Sequence, residues 1–301
     1  DDRVVLYAPR KEGVEGEYFD EWSDSNVLWL LWGGADGVRF GTEDGSPSLG
    51  TAVSYYPSRL HLEEDRIHHD GENDYLDRNS TEKMYGETWI WTYILKDSTF
   101  TIEADITPQE ETQAILVSKL KLSSVDECEV NVIVNGQMLK EFVIYKDGHF
   151  PIYHDTLIIP AGVLQNGNNQ ITYHSVGRIK CPGDTICSIE RFYLDWASLY
   201  YQGIPSASGN TVVLDPSAIA FMPAMQDPSR VALPGFSGNS TIRALNVSTG
   251  KILSNIEVSA NGGLRTAELS CSPSDRIFTW ADDAVRKPEA ISLETMPALS
   301  S

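Results

Sequence analysis

What most constrains this chain is a rhythm. Helical periodicity is almost absent, and short apolar or alternating runs recur between clusters of Gly, Pro, Asn and Asp. In an extended strand successive side chains point to opposite faces, so each run can cover one side of a sheet. The sequence therefore predicts an all-β protein built of sandwiches. "NVLWLLWGG" is apolar on both faces and reads as a strand buried on both sides, ended by Gly33 and Gly34. "TWIWTYIL" reads as another core strand, and "FTIEADI", "AILVSKLKL" and "EVNVIV" continue the series. Asn135-Gly136, between "VNVIV" and "QMLKEFVIY", is the strongest hairpin signal, because such a two-residue turn needs positive φ at both positions. "DTLIIP", "NQITYHSV" and "RFYLDWASLYY" complete a first β-rich unit over 1–202, with a core at about 98–202.

After Tyr201 the composition turns to Gly, Pro and Ser, which marks a linker over 203–209. From 210 to 301 the strands are shorter and closer: "TVVLDP", "RVALPGF", "STIRALNV", "KILSNIEVS", "LRTAELS" and "DRIFTWA". That rhythm predicts a small sandwich of immunoglobulin-like size. The closing "KPEAISLETMPALSS" reads as a tail leading toward a further domain, and the opening "DDRVVLYAPR" as the strand-like start of a piece of something longer.

Charge narrows the partners. With 43 acidic against 23 basic residues, the net charge is −20. That field repels phosphate, so neither nucleic acid nor an anionic membrane surface is an expected partner, whereas divalent cations and basic groups are compatible. No apolar run approaches about 18 residues, so no membrane insertion is expected. "CPGDTIC" sets Cys181 and Cys187 at the ends of a Pro-Gly loop, a spacing that a disulfide can close, and an oxidising compartment would favour it. Cys128 reads as an ordinary strand residue.

Three stretches carry candidate chemistry. In "RLHLEEDRIHHDGENDYL", strand alternation puts His61, Glu63 and Asp65 on one face, a donor set that suits a divalent metal. The blander reading is one solvated strand face followed by an acidic loop, and the absence of HExxH removes a zincin. Within the loop, Asp70, Glu72 and Asp74 offer hard oxygens at alternate positions, which makes calcium the candidate cofactor, although the EF-hand pattern fails at Tyr75 and Thr81. Trp89 and Trp91 share a face of their run and could stack on a sugar ring, against the alternative that both fill core volume. No G-x-S-x-G elbow, P-loop or G-x-G-x-x-G occurs, and no carboxylate pair stands out as a glycosidase pair.

Two resemblances rest on particular residues. The stretch from "FTIEADI" through "VNVIVNGQ" and "LIIPAGVLQNGNNQITYHSV" to "FYLDWASLYY" resembles a galactose-binding-type jelly roll. Pro160, Leu164, Gly167 and Asn168 mark its turn before an inward-facing strand, and Asp195-Trp196 its closing strand. At larger scale, Trp29 to Gly33, His61 to Glu63 and Trp89 to Trp91 fall in an order similar to the non-catalytic region that precedes the peptidase domain of gingipain-like cysteine peptidases. The resemblance implies a secreted or cell-surface protein whose catalytic His and Cys lie in a downstream peptidase domain of the same chain. The Gly-His here, Gly148-His149, sits in a hairpin-like turn, and none of the four cysteines lies in a nucleophile context, so no catalytic site is expected within these residues. The expected role is then accessory: to position, shield or chaperone a peptidase, or to dock its protein substrate. The competing expectation is a carbohydrate-binding module that uses Trp89 and Trp91 on a glycan.

Overall fold

A computed structural model describes residues 39–64, 66–68, 89–122, 127–145, 152–177, 191–216 and 227–285. In chain order the strands are β1 (Gly41–Asp44), β2 (Thr51–Ala52), β3 (Tyr56–Glu63), β4 (Ile67–His68), β5 (Trp89–Ile90) and β6 (Thr92–Leu95). There follow β7 (Ser98–Ile106), β8 (Ala114–Leu122), β9 (Glu127–Val134), β10 (Gln137–Tyr145), β11 (Ile152–Ile159), β12 (Gly167–Gly177) and β13 (Arg191–Gly203). The last group is β14 (Thr211–Leu214), β15 (Ser229–Phe236), β16 (Ile242–Asn246), β17 (Lys251–Ser254), β18 (Glu257–Asn261), β19 (Leu264–Cys271) and β20 (Ile277–Ala281). Among the described residues there is no α-helix, so the all-β reading holds. The segment "NVLWLLWGG" lies outside the described residues.

The chain divides into two compact units. Unit 1 takes in Arg59–Gln202 and is a jelly-roll sandwich, with one sheet in the order β10-β9-β12-β7 and the other in the order β11-β8-β13-β3. From β7 to β13 the chain crosses between the sheets at every connection except the β9–β10 hairpin, so strands distant in sequence come to share one core. The inward residues of both sheets make one core, with Ile102, Leu120, Val132, Ile171, Phe192 and Leu199 among them. Alternation explains most of this, as along β9, where Cys128, Val130, Val132 and Val134 all point inward.

The Asn135-Gly136 turn joins β9 to β10 as expected, with φ of 49° and 79°. The Asn135 amide donates to the Val163 carbonyl and to Asn169 Oδ1, both at 2.8 Å, and its own Oδ1 accepts from the Gln170 N–H. Asn169 is fully buried and donates in turn to the carbonyls of Gln165 and Gly167. The sequence motif singled out Asn168, which is exposed; its neighbour holds the loop together, because β12 turns position 169 inward.

Unit 2 takes in the chain from Gly203 and, in addition, Arg39–Ser58. Its sheets run β1-β17-β16-β20-β14 and β18-β19-β15-β2 around Tyr56, Leu233, Phe236, Leu269 and Ile277. The expected boundary kept all of 1–202 in the first unit, whereas β1 and β2 pair, in parallel, with β17 and β15. "GTED" and "TA" are too short and too polar to register as strands of a distant sheet. "KILSNIEVS" likewise divides into two strands, with Asn255 between them at a φ of 57°.

Candidate functional site

The polar centre of unit 1 is built on β3 and β13. Along β3, Leu60 and Leu62 pack toward the core while Arg59, His61 and Glu63 share the other face. On β13 a bulge falls between Leu194 and Trp196, where one extra residue opposes β8. The bulge resets the alternation: Phe192 and Leu194 point inward before it, Ala197 and Leu199 after it. Asp195, Trp196 and Ser198 are thereby left to the outer face.

His61 joins the two strands. Its Nδ1 lies 2.7 Å from Ser198 Oγ and its Nε2 2.8 Å from Glu63 Oε2. Arg59 Nη2 stands 3.2 Å from both His61 Nδ1 and Ser198 Oγ. A guanidinium can only donate, so Nδ1 is the ring's acceptor and Nε2 carries the proton toward Glu63; this tautomer is assigned from the hydrogen-bond network. The Trp196 ring lies 5.4 Å from the imidazole, and the Arg59 guanidinium lies 5.7 Å from the centre of the Tyr200 ring. Beside them Lys119 Nζ meets Asp195 Oδ2 at 2.9 Å, with both side chains more than nine-tenths buried.

Serine, histidine and a carboxylate in hydrogen-bonded series have the composition of a nucleophilic triad. The surroundings do not suit one. Ser198 is 0% exposed, and the side chains of His61 and Glu63 are 5% and 0% exposed, so the hydroxyl is not presented to an acyl group. What the array does chemically is tie β3 to β13 through hydrogen-bonded polar side chains.

Next to the array is a cleft of about 430 Å³, lined by His61, Leu62, Glu63, Trp91, Phe100 and Ile102 among others. Trp91 is 6% exposed and meets Phe100 edge-on, with ring centroids 5.4 Å apart. The run "TWIWTYIL" is broken there, between β5 and β6, and Trp91 belongs to the core rather than to an open stacking face.

Of the remaining candidates, Asp65, Asp70, Glu72, Asp74, Cys181 and Cys187 lie outside the described residues, as does the side chain of Trp89. Among the described residues no three of His, Cys, Asp and Glu come together to hold a metal ion. His61 and Glu63, expected on a solvated strand face, are inside and bonded to each other. Arg59 and Ser198 carry no motif. The signal that could have found Arg59 is the alternation Arg-Leu-His-Leu-Glu, whose polar face is as regular as its apolar one. Cys128 is buried in the core of unit 1; in unit 2 burial, with the carboxylates of Asp275, Asp227 and Glu43 nearby, pushes Cys271 up to about 12.

A jelly-roll sandwich with a second, smaller sandwich is the class that the fold defines. No protein-family model matches the chain, and no curated protein matches it by sequence. Among solved structures it is similar to dimeric latent PorU from Porphyromonas gingivalis, with a TM-score of 0.52 at 9% identity over 82% of this chain. The chain spans 22% of the length of that structure. Weaker likenesses include a CBM36-1 domain of a multidomain xylanase from the hindgut metagenome of Trinervitermes trinervoides, with a TM-score of 0.29 at 8% identity over 47% of this chain and 96% of that one. Another is the carbohydrate-binding module CBM36 in complex with calcium and xylotriose, with a TM-score of 0.28 at 10% identity over 47% and 98%.

Proposed function

We propose that this chain is a non-catalytic accessory region of a secreted or surface gingipain-like cysteine peptidase, which positions or shields a peptidase domain carried by the same polypeptide. The observation that carries the reading is the fold likeness to latent PorU over 82% of the chain. The order of the Trp29–Gly33, His61–Glu63 and Trp89–Trp91 motifs supports it independently of the fold. A second reading, a glycan-binding module, has in its favour the cleft beside Trp91 and Phe100.

Both readings are tested on the purified chain. Assayed with reductant on casein and on short peptide substrates, it is expected to cleave nothing; thiol-dependent hydrolysis abolished by a cysteine alkylator would overturn the accessory reading. A glycan array run with calcium and then with a chelator separates the second reading: calcium-dependent binding by the chain would put glycan recognition first.

A further inference from the structure

The segment Arg39–Ser58 comes before Arg59–Gln202 of unit 1 in the chain and is built into unit 2. It contributes one edge strand to each of that unit's sheets: β1 lies parallel to β17, and β2 parallel to β15. Between them Gly45 accepts from the Ser270 N–H at 3.0 Å and donates to the Ser254 carbonyl at 2.9 Å, and so touches both sheets. Glu43 accepts from Asn246 Nδ2 at 2.7 Å, and Pro47 is buried. Tyr56, at the end of the segment, is fully buried in the core of unit 2 and donates its hydroxyl to the Pro273 carbonyl.

Two glycines set how closely the segment lies. A Cβ on Gly50 would stand 2.6 Å from Ser270 Oγ and 2.7 Å from the backbone of Ser229 and Arg230. A Cβ on Gly45 would stand 2.9 Å from Leu253 Cβ. Gly50 has extended backbone, so glycine is required there by the approach of β15 and not by its φ. A surface appendage would leave room for a methyl group; at Gly45 and Gly50 this segment leaves none.

We infer that Arg39–Ser58 is a strap, donated from the N-terminal side of Arg59–Gln202, which closes unit 2, so that the second sandwich keeps its fold only while the strap is seated. Cutting or displacing the strap then opens unit 2 without touching the contiguous sequence of that unit. The inference goes beyond the function proposed above and does not rest on it.

The test is hydrogen exchange, read by mass spectrometry, on the full chain carrying Gly50→Ala. Amides of β15, β17 and β19 are expected to exchange roughly a hundredfold faster or more, while β8 and β12 of unit 1 keep their protection. Gly41→Ala, where the Cβ meets only Lys251 Cγ at 3.5 Å, should change neither unit. If Gly50→Ala leaves the chain insoluble, Gly45→Ala, whose Cβ would press on Leu253 Cβ at 2.9 Å and the Ser254 carbonyl at 3.3 Å, is expected to show a smaller loss in the same strands. Faster exchange confined to residues 39–58, with β15, β17 and β19 unchanged, would overturn the inference.

Discussion

A buried imidazole with a guanidinium at one nitrogen and a carboxylate at the other has one comfortable tautomer, and His61 is held in it. The sequence shows why such a residue is hard to place. Arg-Leu-His-Leu-Glu alternates cleanly, and a polar face of that kind is normally read as solvated. What reverses the reading is Ser198, 137 positions away, brought to the ring by β13 and by a bulge that no local pattern announces. The neighbouring Lys119–Asp195 pair makes the energetic consequence testable. Lys119→Met alone leaves a buried carboxylate without its cation and is expected to cost about 3–5 kcal/mol of stability. The double change Lys119→Met with Asp195→Leu removes both charges and should cost well under the single change. Urea unfolding of the three proteins checks this, and equal losses in the single and double variants would mean that the pair has no special role.

At the level of elements, most of the fold was legible. β8, β9, β10 and β13 fall where alternation puts them, and the Asn135-Gly136 turn is where its positive φ values demand. Illegible elements are those whose length or polarity gives no period, notably β1 and β2, and those broken by one or two residues, as at Trp91 and at Asn255-Ile256. The hairpin and the loop before β12 are joined by Asn135 and Asn169, and this junction carries two predictions. Asn169→Ala removes donors to Gln165 and Gly167 and an acceptor for Asn135, and is expected to cost about 2–4 kcal/mol in chemical denaturation. Gly136→Ala meets no atom within 4 Å and should cost only the backbone term, about 1–2 kcal/mol, in the same experiment. If the Asn169 loss is no larger than the Gly136 loss, the clamp is not what holds the loop.

For the whole molecule, pH offers a probe of unit 2. Burial raises Cys271 from about 9 to about 12, and it raises Tyr56 in the same core. The unfolded chain releases the thiol proton first, so stability is fully present below about pH 9 and is lost as pH climbs toward about 12, at about 1.4 kcal/mol per pH unit for this group. Cys271→Val should flatten that part of an alkaline unfolding curve, and the native thiol should resist alkylation at pH 8. An unchanged slope in the variant would assign the alkaline loss to other groups.

The functional side was less legible than the fold. The candidate calcium ligands Asp70, Glu72 and Asp74 and the Cys181–Cys187 pair lie outside the described residues, while the buried array that the structure does describe has no motif. The accessory-region account therefore turns on what adjoins the chain. The measurement that tests it most directly is the reading frame of the parent gene beyond Ser301. The account predicts a further domain in which a Gly-His and a later Cys each end a strand, as the dyad of a cysteine peptidase. A stop codon shortly after Ser301, or a glycosidase domain in that place, would contradict it and move glycan recognition to the front.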